Sequence, residues 1–236
     1  GSNLLVSDEG LRMAVIRLSG EFREMRAQGT TVVCGAGATL AKLCTFAQSE
    51  GLSGLEFAFG IPGSVGGAVY MNAGAYGGEI KDVLTVVRAV DKDGVIHEFT
   101  PDEMKMSYRH SMFTDGGYII TGAVMELKAG NPEEISERMS EYSHRRLEKQ
   151  PLEYPSAGST FKRPEGYFAG ALIEKAGLKG KGSGGACVSE KHAGFVINYN
   201  KATAKDVYDT INYVIDEVKK DSGVVLEPEV RIIGNF

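Results

Sequence analysis

The stretch GIPGSVGGAVYMNAGAYGGEI, residues 60–80, constrains this chain most. Seven of its 21 residues are glycine, and Glu79 is its one charge. It is too apolar for a linker and too poor in ionisable groups for acid–base chemistry. Clustered glycines let a backbone turn tightly and let amides approach a ligand with no side chain in the way. Such a nest suits phosphate oxygens without any lysine; the same cluster can equally serve as tight structural turns. Within these residues neither G-x-G-x-x-G nor G-x-x-x-x-G-K-[ST] occurs, so the usual dinucleotide and P-loop readings lack their fingerprints.

The chain around it is ordinary. Its 236 residues are 42% hydrophobic and 24% charged, enough for one large domain or two small ones with real cores. A net charge of −5 gives no electrostatic footprint for nucleic acid or an anionic membrane, yet leaves room for a local anion site. Cys34, Cys44 and Cys187 have no C-x-x-C spacing. A disulfide framework or metal site is therefore not expected, and a reducing cytoplasm is. No apolar run approaches the ~20 residues that span a bilayer, and no signal peptide is visible.

Strands and helices alternate. TTVVCG (30–35) reads as a buried strand, followed by a helix from Thr39 with Leu40, Leu43 and Ala47 on one face and Gly51 as its stop. Residues 83–90 and 95–99 around the turn DKDG predict a hairpin, and 118–127 another strand. Asn131-Pro132 opens a helix whose apolar side is Ile135, Met139, Tyr142 and Leu147. A looser region (149–166), a helix near 167–176, a glycine-rich loop (180–185) and a strand around 193–198 follow. A helix from Thr203 to about Asp221 buries Val207, Ile211, Val214, Ile215 and Val218. VVLEPEVRII closes the chain as two short extended runs. The class is α+β, with a boundary near residue 129.

Outside the glycines, three places could carry chemistry. In SYRHSMF (107–113), Arg109 is a planar cation suited to a carboxylate or a developing enolate, and Tyr108 a hydrogen-bond donor; a surface ion pair is the plainer alternative. In PSAGSTFKRP (155–164) no G-x-S-x-G elbow surrounds Ser159, which leaves a turn residue or a proton donor. Glu229, inside the apolar run LEPEVRIIG, is either solvated, paired, or a proton-transfer group raised by burial. Gly1-Ser2-Asn3 reads as a second phosphate loop or as a purification remnant.

Residues 35–80, then YRHSMF, PSAGSTFKRP, GGACVSEKHAGFVIN and LEPEVRIIG, in that order, closely resemble the UDP-N-acetylenolpyruvoylglucosamine reductases, flavoproteins of peptidoglycan precursor synthesis. The resemblance runs from Gly1 to Gly234 and implies a vanillyl-alcohol-oxidase-type FAD fold (1–129), its N-terminal part absent. A C-terminal α+β substrate domain (130–222) and closing strands that return to the active site (223–236) follow. It implies FAD held by Gly1, Ser2, Asn3, Gly63, Ser64, Gly66, Gly67 and Gly74, with NADPH as hydride donor. Arg109, Ser159 and Glu229 become the catalytic set. Ser159 would be the proton donor, with Arg109 and Glu229 stabilising the enolate. Tyr108, Lys149, Arg163, Lys179 and His192 would hold the nucleotide sugar. Arg109 and Ser159 stand 50 residues apart, the interval of the shorter subclass without an extra substrate-covering loop. A monomer in the cytoplasm, with no metal, is expected. An oxidase of the same fold would need no YRHSMF, PSAGSTF and PEV together.

Overall fold

A computed structural model describes all residues, 1–236, as two compact units: Val15–Arg146, and Gly1–Ala14 with Leu147–Phe236. The division falls inside the helix Pro132–Lys149.

The Val15–Arg146 unit is built on a five-stranded antiparallel sheet. Its order is Met25–Gln28, Thr31–Gly35, Tyr118–Glu126, Leu84–Asp91, Ile96–Phe99. Alternation decides which face is buried: Val32 and Cys34 point inward while Val33 between them stays 42% exposed. The predicted hairpin is present. Asp91 Oδ1 accepts from the amides of Asp93 and Val95, both at 2.9 Å, and Gly94 takes φ +82°. The short helix Val65–Tyr70 lies on the central strand Tyr118–Glu126 and its neighbour Thr31–Gly35, and Leu40–Ser49, with Leu40, Leu43, Cys44 and Ala47 buried, packs beside it. Thr39 caps that second helix, its Oγ1 accepting from the Lys42 amide at 3.3 Å. Burial pushes the Cys34 and Cys44 thiols up to about 12, so both are inert core residues at neutral pH.

Asn131 starts the helix Pro132–Lys149 as expected, its Oδ1 accepting from the Glu133 amide at 2.8 Å. Ile135 and Met139 are buried, but Leu147 is 56% exposed. The predicted apolar side therefore does not reach the helix's last turn.

In the other unit a three-stranded sheet, Gly182–Ser183, Ala186–Val188 and Val196–Asn198, packs against the helix Ala204–Ser222. Ile211, Val214 and Val218 form the buried stripe of that helix, and Val207 and Ile215 flank it. Thr203 and Asp206 cap it reciprocally, each side chain accepting the other's amide at 3.0 Å. Residues 180–185 spell G-x-G-x-x-G but lead into a strand turn, not a helix. A Cβ on Gly184 would fall 2.3 Å from the Asp206 carboxylate, and one on Gly185 2.2 Å from the Asn200 carbonyl. These glycines answer to close packing. Of the two closing runs only Arg231–Ile233 is a strand, parallel to Leu4–Val6; Pro228 forms an isolated bridge with Phe161.

Leu43 is fully buried in the first unit's core. Leu43→Ala is expected to cost about 2–5 kcal/mol, read as a lower urea midpoint at unchanged slope.

Candidate active site

The glycine-rich stretch divides into committed and uncommitted backbone. Ser64 caps the helix Val65–Tyr70, its Oγ accepting from the Gly67 amide at 3.2 Å. The Gly66 amide donates to Ala36 O at 2.9 Å and the Val65 amide to Ala38 O at 2.8 Å. Those donors serve the fold. The amides of Gly63 and Ser64 donate to nothing in the chain, and a Cβ on Gly67 would meet only Ser64 Oγ, at 3.5 Å. Gly63 and Ser64 thus offer donors, and Gly67 offers bare Cα surface.

Asn72 ties this stretch to Arg109. It is fully buried at φ +42°, a conformation asparagine tolerates better than most residues. Its Nδ2 donates to Glu79 Oε2 at 2.9 Å and to the Ser107 carbonyl at 3.0 Å, and its Oδ1 accepts the Lys81 amide at 3.1 Å. Ser107 and His110 exchange both backbone hydrogen bonds, closing a two-residue turn with Tyr108 and Arg109 at its tip. Arg109 sits there at φ +54°, a strained position for a side-chain-bearing residue. Its guanidinium lies 5.0 Å from the Tyr108 ring, and Nη2 donates to Gly74 O at 3.4 Å. Gly74 admits no Cβ, which would fall 2.8 Å from both Glu79 Cγ and Gly78 O. The hydrogen bond from Lys81, more than that from Asn72 or the charge of Arg109, holds the Glu79 carboxyl below its ordinary value.

Ser159 and Glu229 belong to the second unit, and its backbone brings them together. The Glu229 amide donates to Thr160 O at 2.8 Å and the Lys162 amide to Glu227 O at 2.8 Å, on either side of the Phe161–Pro228 bridge. Exposed Ser159 therefore precedes the residue that pairs with half-buried Glu229. Thr160 is buried, its amide bonded to Gly194 O at 2.8 Å and its Oγ1 accepting from the Val196 amide at 2.9 Å. Asn3 Nδ2 donates to Glu229 O at 3.1 Å and Asn3 O accepts the Arg231 amide at 3.0 Å. The Gly1-Ser2-Asn3 loop is thereby bound to Glu229.

His192 joins the same network. Its Nδ1 accepts from the Gly194 amide at 3.0 Å, which leaves the ring proton on Nε2, and its ring meets Phe195 edge-on at 4.9 Å. Burial, with the nearby Lys179 charge, lowers its pKa. Lys179 is paired with Glu174 at 2.7 Å. Arg163 lies 3.9 Å over the Phe168 ring, and Lys149 is exposed at the end of its helix. Tyr108, Arg109 and the glycine-stretch residues Gly63, Ser64, Gly66, Gly67 and Gly74 stand in the first unit, and the remaining predicted residues in the second.

Asn72, Thr160 and Arg146 went unnoticed in the sequence. Asn72 had a signal, a lone amide amid apolar and glycine neighbours. Arg146 had none: its buried Nε lacks any hydrogen-bond acceptor, and its side chain lies against Gly60. Uncommitted glycine amides and a desolvated donor without an acceptor fit an anionic, carbonyl-bearing cofactor.

A family described as "FAD binding domain" matches residues 1–100, and with the reductase relatives that follow it defines the chain as a flavoprotein of the FAD-dependent oxidoreductase class. The C-terminal domain of UDP-N-acetylenolpyruvoylglucosamine reductase matches residues 150–233. Reductases of that name from Syntrophomonas wolfei and Clostridium beijerinckii are 51% and 54% identical over 234 residues, 99% of this chain and 78% and 77% of theirs. The crystal structure of the Thermus caldophilus reductase aligns with TM-score 0.86 at 42% identity, covering 98% of this chain and 82% of that one. The chain belongs to the UDP-N-acetylenolpyruvoylglucosamine reductase family. No helix is long and apolar enough to cross a membrane.

Asn72→Ala removes three hydrogen bonds and puts a Cβ-bearing residue without a polar side chain at positive φ. It is expected to cost about 1–3 kcal/mol in thermal or urea unfolding, and Asn72→Gly, which relieves the backbone but not the lost bonds, should recover only part of it.

Proposed function

We propose that this chain reduces the enolpyruvyl ether of UDP-N-acetylglucosamine to UDP-N-acetylmuramate, a peptidoglycan precursor, with NADPH as the source of reducing equivalents. The observation that carries the reading is the pairing of Thr160 with Glu229. It sets a hydroxyl and a carboxyl on adjacent backbone segments of one compact unit. A double-bond reduction needs one hydride and one proton delivered to neighbouring carbons. When bound, FAD supplies the hydride, to C3 of the enolpyruvyl group. The chain's own side chains supply the rest.

Arg109 offers a guanidinium at the tip of a turn that Asn72 holds. Its role is to meet the negative charge that develops on the substrate's carboxyl side. Glu229 is fixed through its own amide and carbonyl, and it acts on the same enolate. Ser159 protonates C2, and its exposure lets solvent restore the proton. No histidine is needed, because the serine acts as an acid towards carbon and not as a nucleophile.

Tyr108, Lys149, Arg163, Lys179 and His192 provide the polar contacts to the nucleotide sugar. Arg163, lying over Phe168 with Nε donating to Tyr167 O at 3.4 Å, brings a cation suited to phosphate oxygens. His192 offers Nε2–H, since Nδ1 already accepts an amide. Gly63 and Ser64 offer two amides for FAD and Gly67 close backbone approach, while Gly66 and Gly74 shape the cofactor loop by packing on Ala36 and on Gly78–Glu79. Gly1, Ser2 and Asn3 complete the cofactor loop beside Glu229. The working form is a monomer in the cytoplasm.

The two half-reactions separate these roles in stopped flow. Ser159→Ala is expected to leave flavin bleaching by NADPH nearly intact and to slow reoxidation by the enolpyruvyl substrate about 10²–10⁴-fold. Equal loss in both halves would remove Ser159 from proton transfer. Glu229→Gln should likewise strike the second half, and a mild effect there would mark it as an orienting group.

A further inference from the structure

One buried polar side-chain atom in the molecule has no hydrogen-bond partner: Nε of Arg146. A desolvated donor left unmade is costly, so such an atom in an otherwise satisfied fold asks for an acceptor. Its surroundings narrow the choice. Arg146 lies over Gly60, the first glycine of the 60–80 stretch, where a Cβ would stand 3.4 Å from Nε and 3.5 Å from Cδ. Gly60 takes φ +84°, a backbone conformation that favours glycine there.

Tyr76, from the same stretch, stacks on Tyr142 with ring centroids 4.5 Å apart and planes 3° from parallel. Its hydroxyl donates to Tyr142 O at 3.1 Å, and its backbone is held at φ +53°. Tyr142 is one turn before Arg146 on the helix. The guanidinium is thus fenced by two glycine-stretch residues and its own helix.

Charge separates Arg146 from its neighbours. Arg138 pairs with Glu56 at 2.8 Å, and Arg145 with Glu141 at 2.5 Å. No carboxylate pairs with Arg146, and its one favourable polar neighbour is the Tyr76 hydroxyl. Burial draws its pKa below an ordinary arginine's. A buried cation without a counterion is expensive unless a bound group supplies the negative charge.

Resting on the reading of the chain as an FAD-dependent reductase, we infer that Arg146 is the cationic partner of the flavin's pyrimidine edge, its Nε–H serving the N1–C2 carbonyl side. A single desolvated donor suits a planar carbonyl better than a solvated diphosphate, which exposed cations can meet. The balance of the reduction fits. NADPH gives up two electrons and one proton as hydride and leaves as NADP⁺, and the ring that receives them gains one negative charge. Arg146 stabilises that charge and so favours hydride acceptance.

Sulfite tests this without turnover, because its addition to oxidised flavin places the same charge on the same edge. The full chain is loaded with FAD and titrated with sulfite, following loss of the visible flavin band. Arg146→Gln is expected to weaken sulfite binding at least about tenfold. The two-electron potential should fall by about 30 mV for each tenfold. Arg146→Lys should recover part of both, and affinity for UDP-N-acetylglucosamine should hold. Unchanged sulfite affinity in Arg146→Gln overturns the inference, and a fall in UDP-sugar affinity alone assigns the guanidinium to the substrate's phosphates and also overturns it. If Arg146→Gln retains too little FAD to titrate, FAD dissociation constants decide. Binding by Arg146→Lys at least about tenfold tighter than by Arg146→Gln supports the charge role; equal weakening refutes it. An unsubstituted chain that binds no FAD refutes the flavin reading itself. One that binds FAD and reduces substrate, with sulfite affinity indifferent to Arg146, refutes this inference alone.

Discussion

Thr160 holds the Ser159–Glu229 part of the second unit together. All three of its polar groups are committed: the amide to Gly194, the hydroxyl to Val196, the carbonyl to Glu229. The residue is buried, so each bond is made where an unmade one is expensive. Through it the His192–Gly194 turn, the Ser159 loop and the Glu229 segment share one backbone network. Ser159 and Glu229 need no contact of their own to be positioned. Their neighbours fix them.

The first unit solves the same problem with a different residue. Asn72 bonds to the Glu79 side chain, the Lys81 amide and the Ser107 carbonyl, and so keeps the Arg109 turn against the glycine stretch. Strain gathers there: Asn72, Tyr76 and Arg109 all hold positive φ although none is glycine. Residues held this way persist when the surroundings over-determine them, and they gather at functional sites. In both units amides and hydroxyls without acid–base roles hold the backbone. The groups suited to chemistry are left at the edges.

Much of this was legible in the sequence, and the residues show why the rest was not. Local chemistry spoke clearly. Thr39, Asn131 and Thr203 cap the helices expected to begin at them, and Asp91-Lys92-Asp93-Gly94 turns the predicted hairpin. These signals lie within four residues of the bonds they make. Leu147 misled, since its periodicity continues a stripe that the fold leaves exposed. The hydrogen bond from Asn72 to Ser107 spans 35 residues, and the close approach of Arg146 to Gly60 spans 86. No local pattern encodes such pairs. The glycines were visible as a cluster. Which amides are uncommitted and which serve the fold emerged only from the hydrogen bonds.

Coupling between reductant and substrate is the property that defines the proposed reductase. The most direct measurement is NADPH oxidation by the purified chain with excess FAD, with and without the enolpyruvyl ether of UDP-N-acetylglucosamine. The prediction is oxidation that depends on the substrate and yields UDP-N-acetylmuramate in equal amount. Oxidation indifferent to the substrate, with oxygen consumed in its place, would contradict it.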